Sequence, residues 1–412
     1  MMLSRRSFLG TAGLTAAGLL SAPSRVLKAM PKAETELGKV KIIDVKTAAI
    51  KIKKYKTHLV KVTTDAGIFG LGEAFPKSEV AADIQDIKGE IIGQDPLKVE
   101  FLHQKMTESY ISRGSRTGSL CGAIAGIETA LWDIAGKILN VPVYILLGGG
   151  YRDKILIYHD TDSPPSEDPK LWAEKAIKSR EYGFLAMKFS LRHISGEKWN
   201  RTIAREDMKK WTKILEATRE ALDPDYPLGV DLHWRYNTRD VLQFIQMTED
   251  LNLWFVEDPM PPENFEAFAR ITKASKTPIA TGENLYSRQG FRPFIENQAC
   301  DYIQPDPQKC GGLLETKKIA DWADMYYMSM LCHNGCTPVG TIASGHACMA
   351  IKSFVALESD SIEVPYWQDI ILREGPVYQN GYLQVPDKPG LGVELNEEVC
   401  KQHLADGSGF FE

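Results

Sequence analysis

The spacing of hydrophobic residues divides the chain beyond residue 39 into two parts. In the first part, VKIIDVKTAAIKI and HLVKVTTDAGIFGLGEA have the pattern of β-strands, and a turn is expected at residues 64–67. From about residue 79 to 140, small and apolar residues recur at helical spacing, and the pattern stops at Asn140, just before Val141-Pro142. Strands followed by helices predict a small α+β domain over residues 39–145.

A shorter unit repeats over residues 150–360. Eight apolar runs each end in polar residues and are each followed by an amphipathic stretch, and these polar residues are His159, Lys188, Asp231, Glu257, Glu283, Asp306, His333 and Glu358. Successive members of this set lie 23 to 29 residues apart, except for one interval of 43 that contains the polar insertion RHISGEKWNRTIARED. One strand, one helix and two loops take about that many residues, so the repeat predicts a barrel of the (β/α)8 kind. An open doubly wound sheet is the alternative, but the first strand–helix turn lacks the glycine fingerprint expected there.

The C-terminal ends of barrel strands converge on one face, so all eight polar residues are expected to line one mouth. Asp231, Glu257 and Glu283 then come from three successive strands. At about 4 Å, each pair of carboxylates repels by roughly 4 kcal/mol at an effective dielectric near 20, and Lys188 alone cannot neutralise three. A divalent cation with all-oxygen ligands, Mg2+ or Mn2+ rather than zinc, is the simplest solution. The alternative is that each carboxylate is an ordinary helix N-cap or salt-bridge partner.

Two histidines complete the predicted site. Adjacent strands place Asp306 beside His333, and a carboxylate that holds one imidazole nitrogen raises the basicity of the other, so His333 is the predicted general base. In the run GVDLHWR, His233 lies two residues after Asp231, which in a strand puts both side chains on one face. His233 is therefore the predicted acid near the metal. A purely structural role for His333 is the alternative.

Lys188 and Glu358 are predicted to bind a substrate carboxylate from two sides, Lys188 by its charge and Glu358, when protonated, by a hydrogen bond; an ordinary ion-paired role is the alternative for Glu358. A carboxylate bound to the cation becomes acidic at its α-carbon, because the cation and Lys188 hold the resulting enediolate. His333 would remove the α-proton, and His233 would expel the β-hydroxyl as water. The predicted product is a 2-keto-3-deoxy acid.

Composition and the N-terminus exclude some classes of protein. The net charge of −5 and the absence of a basic stripe argue against nucleic-acid binding, and the seven scattered cysteines show no zinc spacing and are interpreted mostly as core residues. Residues 1–30 contain Arg5-Arg6 and then a run that is too short and too weakly apolar for a membrane span. They are interpreted as a twin-arginine export signal, which predicts a periplasmic or exported protein and the twin-arginine translocase as a partner. A disordered basic N-terminus is the alternative.

Several motifs together resemble one family. VDLHWR, FVEDPMPPEN, IATGEN, IQPDPQKCGGLLETKKIA and LCHNGCTPVGTIASGHA are similar to the mandelate racemase subgroup of the enolase superfamily, and to its galactonate dehydratase-like acid-sugar dehydratases in particular. The resemblance implies a (β/α)7β modified TIM barrel with an N-terminal α+β capping domain, and a C-terminal segment, 361–412, that packs back on the cap. It also implies capping loops near residues 50–56 and 110–118, a small sugar-acid substrate of galactonate or gluconate type, and a homo-oligomer.

The resemblance assigns Mg2+ to Asp231, Glu257 and Glu283, the base to the His333–Asp306 pair, the acid to His233 and carboxylate binding to Glu358. The chain departs from the subgroup at the second strand, where Lys188-Phe189-Ser190 replaces a Lys-x-Lys pair. The missing lysine would be the second base of a racemase, so the departure favours β-elimination, although Arg192 and His193 follow closely. Two alternatives stay open: a racemase or epimerase of a 2-hydroxy acid, and an exported binding protein without turnover.

Overall fold

The computed structural model describes residues 39–53, 55–75, 79–191 and 200–412. The export signal predicted at 1–30 lies outside these residues, as do Arg192 and His193. None of the helices in the described ranges combines the length and the apolar composition that a membrane span requires.

The capping domain begins with an antiparallel sheet of three strands in sequence order, β1 (Ile42–Ile52), β2 (Tyr55–Thr64) and β3 (Phe69–Ala74). Four helices follow, α1 (Val80–Ile87), α2 (Val99–Ser109), α3 (Gly118–Leu139) and α4 (Val143–Leu146). Helix α3 packs directly on β3, where a Cβ at Gly72 would lie 2.1 Å from the carbonyl oxygen of Gly126. Helix α3 ends where the sequence predicted, since Asn140 takes a left-handed conformation (φ 56°) and its N–H caps the last turn.

The barrel has eight parallel strands in the described chain, and each pairs with the next: β4 (Ile155–Thr161), β5 (Met187–Ser190), β6 (Leu228–Asp231), β7 (Phe255–Glu257), β8 (Ile279–Thr281), β9 (Tyr302–Ile303), β10 (Ser329–Cys332) and β11 (Phe354–Ser359). Strand β11 pairs with β4 and closes the barrel. The connecting helices are α5 (Pro169–Glu181), α6 (Arg205–Ala221), α7 (Thr238–Met247), α8 (Phe265–Ala274), α9 (Ser287–Glu296), α10 (Leu313–Asp324) and α11 (Pro338–Met349). Seven helices lie between these eight strands in the described ranges, which confirms the predicted (β/α)7β barrel.

Two apolar layers hold the barrel together. The interior is filled by a cluster of large and small side chains below the mouth: Tyr158, Ala186, Phe255, Ala280, Leu331 and Ala356. A Cβ at Gly229 would lie 2.5 Å from the Phe255 ring, so glycine is needed there to admit that ring. The neighbouring strand residues point outward into the larger layer beneath the helices, which also contains Trp172 and Trp211. All seven cysteines are buried, in agreement with their predicted role as core residues.

The C-terminal segment begins with a 3-10 helix (Trp367–Ile370) and a short hairpin, β12 (Tyr378–Gln379) and β13 (Tyr382–Leu383), and it ends after α12 (Glu397–Gln402). Strand β13 pairs with the start of β4. The segment also bonds to the cap, because Lys51 N donates to His403 O at 2.9 Å and Ala405 N donates to Ala49 O at 2.8 Å. The domain boundaries given above stay predictions.

Candidate active site

Three carboxylates stand at the C-terminal ends of successive barrel strands. Asp231 is the last residue of β6, Glu257 is the last of β7, and Glu283 lies two residues beyond β8. The parallel register pairs Asp231 directly with Glu257, and all three side chains are buried. The three predicted metal ligands therefore lie at the same mouth.

Lys188 points into this mouth from β5, as predicted, and is buried among carboxylates. Its Nζ donates to Glu257 Oε1 at 2.7 Å and to Glu358 Oε1 at 3.2 Å, and lies 3.9 Å from Asp160 Oδ2. Burial lowers the pKa of Lys188, but the negative charges of these carboxylates outweigh that effect and hold its pKa well above the ordinary value. The side chain is therefore a permanent positive charge at the base of the mouth.

Glu358, near the end of β11, faces the same space. Tyr158 OH donates to Glu358 Oε2 at 2.7 Å. Burial raises the pKa of Glu358 well above its ordinary value, although Lys188 and His333 act in the opposite direction. A carboxyl group that keeps its proton can donate a hydrogen bond to a substrate carboxylate, which is the role predicted for Glu358.

The predicted pair of His333 and Asp306 is in contact. His333 Nδ1 lies 2.8 Å from Asp306 Oδ2, and Nε2 on the other side of the ring lies 3.0 Å from Glu283 Oε2. Burial lowers the pKa of His333, but the charges of Glu283 and Glu358 and the hydrogen bonds to Asp306 and Glu283 together outweigh it and raise that pKa well above its ordinary value. Burial likewise raises the pKa of Glu283, but His333, Lys309 and Lys188 together reverse this and hold it below the usual range. The imidazole thus links the Asp306 carboxylate to the predicted metal site.

His233 lies beside Asp231 as predicted, but for a different structural reason. Strand β6 ends at Asp231, and His233 has a left-handed backbone (φ 56°), so strand alternation does not apply to it. The turn folds the chain back instead: His233 N donates to Asp231 Oδ1 at 2.6 Å, and His233 Nδ1 lies 2.8 Å from Asp231 Oδ2. Non-glycine residues rarely adopt such a backbone conformation, and Asp258 at the end of the neighbouring strand shares it (φ 43°).

Asp258 is a residue that the sequence reasoning missed. Its carboxylate is buried, and one oxygen each from Glu257, Asp258 and Glu283 lie within 4.8 Å of one another. Burial raises the pKa of Glu257 to about 7 and, with the charge of Glu283, raises that of Asp258 well above its ordinary value. A strand alternates its faces, which would send the residue after Glu257 outward; only the left-handed turn, invisible in the letters VEDP, brings Asp258 back.

His159 does not line the mouth, and this prediction was wrong. Strand β4 runs on to Thr161, and its inward positions are Tyr158 and Asp160, whose side chains reach Glu358 and Lys188. His159 points outward, where Nδ1 lies 2.9 Å from Ser179 Oγ and the ring stacks on Phe184 with 4.5 Å between centroids. Burial lowers the pKa of His159 to about 3, as expected for a neutral core residue.

The turn between β1 and β2 brings a cation from the cap to the mouth. Lys53 Nζ lies 3.1 Å from Asp162 Oδ1, just beyond β4, and the charges of Asp360, Asp162 and Asp160 raise the pKa of Lys53 against the opposing effect of burial. Lys53 belongs to the loop predicted at 50–56. The other predicted loop, 110–118, forms ion pairs within the cap, between Arg113 and Asp86 and between Arg116 and Glu108.

Two family models match the chain. Enolase C-terminal domain-like matches residues 172–399, and mandelate racemase / muconate lactonizing enzyme, N-terminal domain, matches residues 34–148. The first match alone covers more than half of the chain. The protein belongs to the enolase superfamily.

Individual relatives extend this likeness over the cap and the barrel together. A D-xylonate dehydratase from Haloferax volcanii is 37% identical over 90% of this chain and 90% of its own length. A D-galactonate dehydratase from Variovorax paradoxus is 32% identical over 82% of this chain and 88% of its own length. The crystal structure of a mandelate racemase/muconate lactonizing enzyme-like protein from Rubrobacter xylanophilus, 35% identical, has a TM-score of 0.86 and covers 90% of this chain and 99% of that one.

Enolase-superfamily members use Mg2+, and the carboxylates of this member suit that ion. Glu257, Asp258 and Glu283 offer an all-oxygen donor set, which hard divalent cations prefer. Among the described residues, Asp258 Oδ2 is buried without a hydrogen-bond partner, which is costly unless a cation or proton compensates for it. Gln304, which was not among the residues predicted from the sequence, orients one of these carboxylates, because its Nε2 donates to Glu257 Oε2 at 2.7 Å.

Ser190 occupies the second-strand position where a two-base racemase of this superfamily would need lysine. The parallel register pairs Ser190 with Asp231, so the residue lies at the mouth. Its Oγ is buried and has no hydrogen-bond partner among the described residues. A serine hydroxyl is not basic enough to remove a carbon-bound proton, so Ser190 cannot take the part of that second lysine.

Proposed function

We propose that the protein is a Mg2+-dependent acid-sugar dehydratase, a hydro-lyase that removes the C2 proton and the C3 hydroxyl of a sugar acid. The observation that carries the proposal is the His333 imidazole, which lies 2.8 Å from Asp306 on one side and 3.0 Å from Glu283 on the other. The reaction class predicted from the sequence is confirmed by relatives named D-xylonate dehydratase and D-galactonate dehydratase.

Asp231, Glu257 and Glu283 would hold the metal ion, with Asp258 beside them. Bound Mg2+ would polarise the substrate carboxylate as a Lewis acid. Mn2+ has the same preference for oxygen ligands and would serve in its place. Lys188 would neutralise a carboxylate oxygen, and protonated Glu358 would donate a hydrogen bond to the same group.

Proton transfer would be divided between two histidines. A cation held by Glu283 would offset the negative charge that raises the pKa of His333, so that neutral His333 Nε2 would accept the proton from C2 while Asp306 stabilises the imidazolium through Nδ1. The electron pair left at C2 forms the C2=C3 double bond as the C3–O bond breaks. Protonated His233 gives its proton to the departing hydroxyl, which leaves as water. The enol product then takes the 2-keto-3-deoxy form.

The substrate we propose is an aldonate with five or six carbons. The relatives are named for D-xylonate and D-galactonate, which share a carboxylate, a C2 proton and a C3 hydroxyl. The carboxylates of Asp160, Asp162 and Asp360, which act on Lys53, can accept hydrogen bonds from substrate hydroxyls on the side of the mouth where β11 meets β4.

The test is proton NMR in D2O with Mg2+, using the mature protein and a panel of pentonates, hexonates and uronates. We expect loss of the C2 proton signal together with a 2-keto-3-deoxy product, and His333→Asn should abolish both while the protein still binds Mn2+. Deuterium entering C2 without loss of water would instead support the racemase. Binding without any exchange at C2, unaffected by His333→Asn, would support the binding protein.

We also propose that residues 1–30 direct export through the twin-arginine translocase, and that the mature protein is a periplasmic homo-oligomer. Arg5 and Arg6, followed by a weakly apolar run, support the first statement. Cell fractionation should find wild type in the periplasm and the Arg5→Lys/Arg6→Lys variant in the cytoplasm. Equal amounts of wild type and variant in the periplasm would refute this route. Light scattering on the mature protein tests whether it is an oligomer.

A further inference from the structure

A buried carboxylate near the end of β3 in the cap binds the barrel. Glu73 is fully buried, and Thr57 Oγ1 donates to its Oε1 at 2.7 Å within the cap. From the barrel, Thr337 N donates to Oε1 at 2.9 Å and Gly340 N donates to Oε2 at 2.9 Å, while Thr337 Oγ1 also bonds to Oε2. Glu73 therefore satisfies N–H groups at the start of α11, which its own helix cannot pair.

These contacts hold the loop that carries the proposed base. His333 directly follows β10, and only three residues lie between it and Thr337, the N-cap of α11. A Cβ at Gly340 would lie 2.9 Å from Glu73 Oε2, so the carboxylate lies directly against the backbone of the helix. A shift of Glu73 would move Thr337, and the short loop would pass that movement to His333.

The chain just after Glu73 contacts a second loop, the one that carries Asp306. Phe75 N donates to Gln308 O at 3.2 Å, and Gln308 N donates to Asp306 Oδ1 at 2.8 Å. The Phe75 ring also lies 6.2 Å, centroid to centroid, from the His333 imidazole. Residues 73–75 of the cap thus contact both loops whose side chains form the His333–Asp306 hydrogen bond.

We propose that Glu73 is a positioning residue of the cap that sets the orientation of His333 relative to Asp306 and the substrate C2 atom. The cap then contributes to proton abstraction as well as to enclosing the substrate. This inference rests on the proposed function for the role of His333 as base. A misplacement of about 1 Å in a reacting group can lower the rate by about 10²-fold, so a residue that does not touch the substrate can still control the rate.

Glu73→Gln tests the inference with little change in volume. The amide must place its NH2 group against either the Thr337 N–H or the Gly340 N–H, donor facing donor, so one contact breaks. Asp133→Asn is the matched control, because Asp133 is also a buried carboxylate of the cap and accepts hydrogen bonds at 2.8 Å from Leu71 N and Leu391 N. Both variants should unfold at a lower temperature, but only Glu73 contacts the loop of His333.

Kinetics separate positioning from a general loss of stability. Well below the unfolding temperature, Glu73→Gln should lower kcat by about 10²-fold with KM changed by less than about 3-fold, and should raise the kinetic isotope effect of C2-deuterated substrate. Asp133→Asn should keep kcat within about 3-fold of wild type. Wild-type kcat in Glu73→Gln, or an equal loss in Asp133→Asn, would overturn the inference.

A measurement without substrate keeps this test independent of the proposed function. In protein labelled at histidine Cε1 with carbon-13, the His333 resonance is assigned from its loss in His333→Asn. Glu73→Gln should shift that resonance, whereas Asp133→Asn should leave it in place. If wild type turns over no sugar acid, the proposed function fails, and an unchanged resonance in Glu73→Gln is the separate result that overturns the positioning role.

Discussion

The carboxylates at the mouth repel one another until a cation binds. Glu257, Asp258 and Glu283 lie within 4.8 Å, and all are buried. We therefore expect Mg2+ to raise the unfolding temperature and EDTA to lower it; at a free concentration of 100 times Kd, the ion would stabilise the fold by about 2.7 kcal/mol. Thermal unfolding with and without EDTA measures this, and Glu283→Gln should respond much less. An unfolding temperature indifferent to Mg2+ in wild type would contradict the metal site.

His233 and His333 should be separable by mutation. Asn tolerates the left-handed backbone at position 233, and its amide can still donate to Asp231, so His233→Asn mainly removes the proton donor. We expect dehydration to fall by roughly 10²–10⁴-fold while His333 continues to exchange the C2 proton with solvent. Proton NMR in D2O follows both rates in one sample. Loss of both rates in equal proportion would mean that His233 is not the separate acid.

The direction of a side chain could be predicted from the sequence where the residue lies within a strand and follows its alternation. It could not be predicted where the backbone leaves the strand in a turn. Glu257 and Lys188 follow strand alternation, and the structure places both as expected. Asp258 was missed and His233 was found for the wrong reason because both have a positive φ, which residue letters do not encode. His159 was assigned to the mouth because the last polar residue of β4 cannot be recognised when the strand continues for two more residues.

The turn between β1 and β2 carries a charge that should affect substrate binding. Lys53 offsets Asp162 and the nearby Asp160 and Asp360, so Lys53→Met would leave these carboxylates to repel an anionic substrate. For a lysine charge about 10 Å from the substrate carboxylate and partly screened by solvent, the lost attraction is roughly 1 kcal/mol. This corresponds to about a five-fold rise in KM with little change in kcat. Steady-state kinetics at low and high salt measures it, and high salt should reduce the difference.

Lys154→Met is the matched control for that prediction. Lys154 lies just before β4, at the opposite end of the strand from the mouth, and is exposed. The substitution Lys154→Met removes the same charge from the protein but away from the mouth, so the KM of this variant should stay at the wild-type value. An equal rise in both variants would show that net charge alone, rather than the position of Lys53 over the mouth, governs binding.

The eight strands and seven helices of the barrel were predictable because each unit repeats its own short-range pattern. The contacts between the cap and the barrel were not, because they join residues far apart in sequence. Glu73 binds Thr337, and Glu128 of α3 accepts hydrogen bonds from Leu313 N at 2.9 Å and Leu314 N at 3.1 Å at the start of α10. Nothing in the periodicity of GLGEA or of the α3 sequence indicates which helix of the barrel a buried carboxylate will meet.

Glu128 gives this interface a measurable dependence on pH. Burial raises the pKa of Glu128 to about 7, although Leu313, Leu314 and Trp132 donate hydrogen bonds to it. Between the ordinary value of 4.5 and 7, the folded chain keeps a proton that the unfolded chain has lost, so the stabilisation from Glu128 is full below pH 4.5 and falls as the pH rises to 7. At about 1.4 kcal/mol per unit, the loss is about 3 kcal/mol.

Glu128→Gln removes this titration while keeping the side chain's size. The free energy of unfolding of wild type minus that of Glu128→Gln should therefore fall by about 3 kcal/mol from pH 4.5 to 7 and stay level above pH 8. Urea denaturation of both proteins across this range measures the difference, and the other buried carboxylates cancel because they are common to both. A difference that stays constant with pH would mean that Glu128 has the same pKa in the folded and the unfolded chain, and that the N–H groups of α10 fully offset its burial.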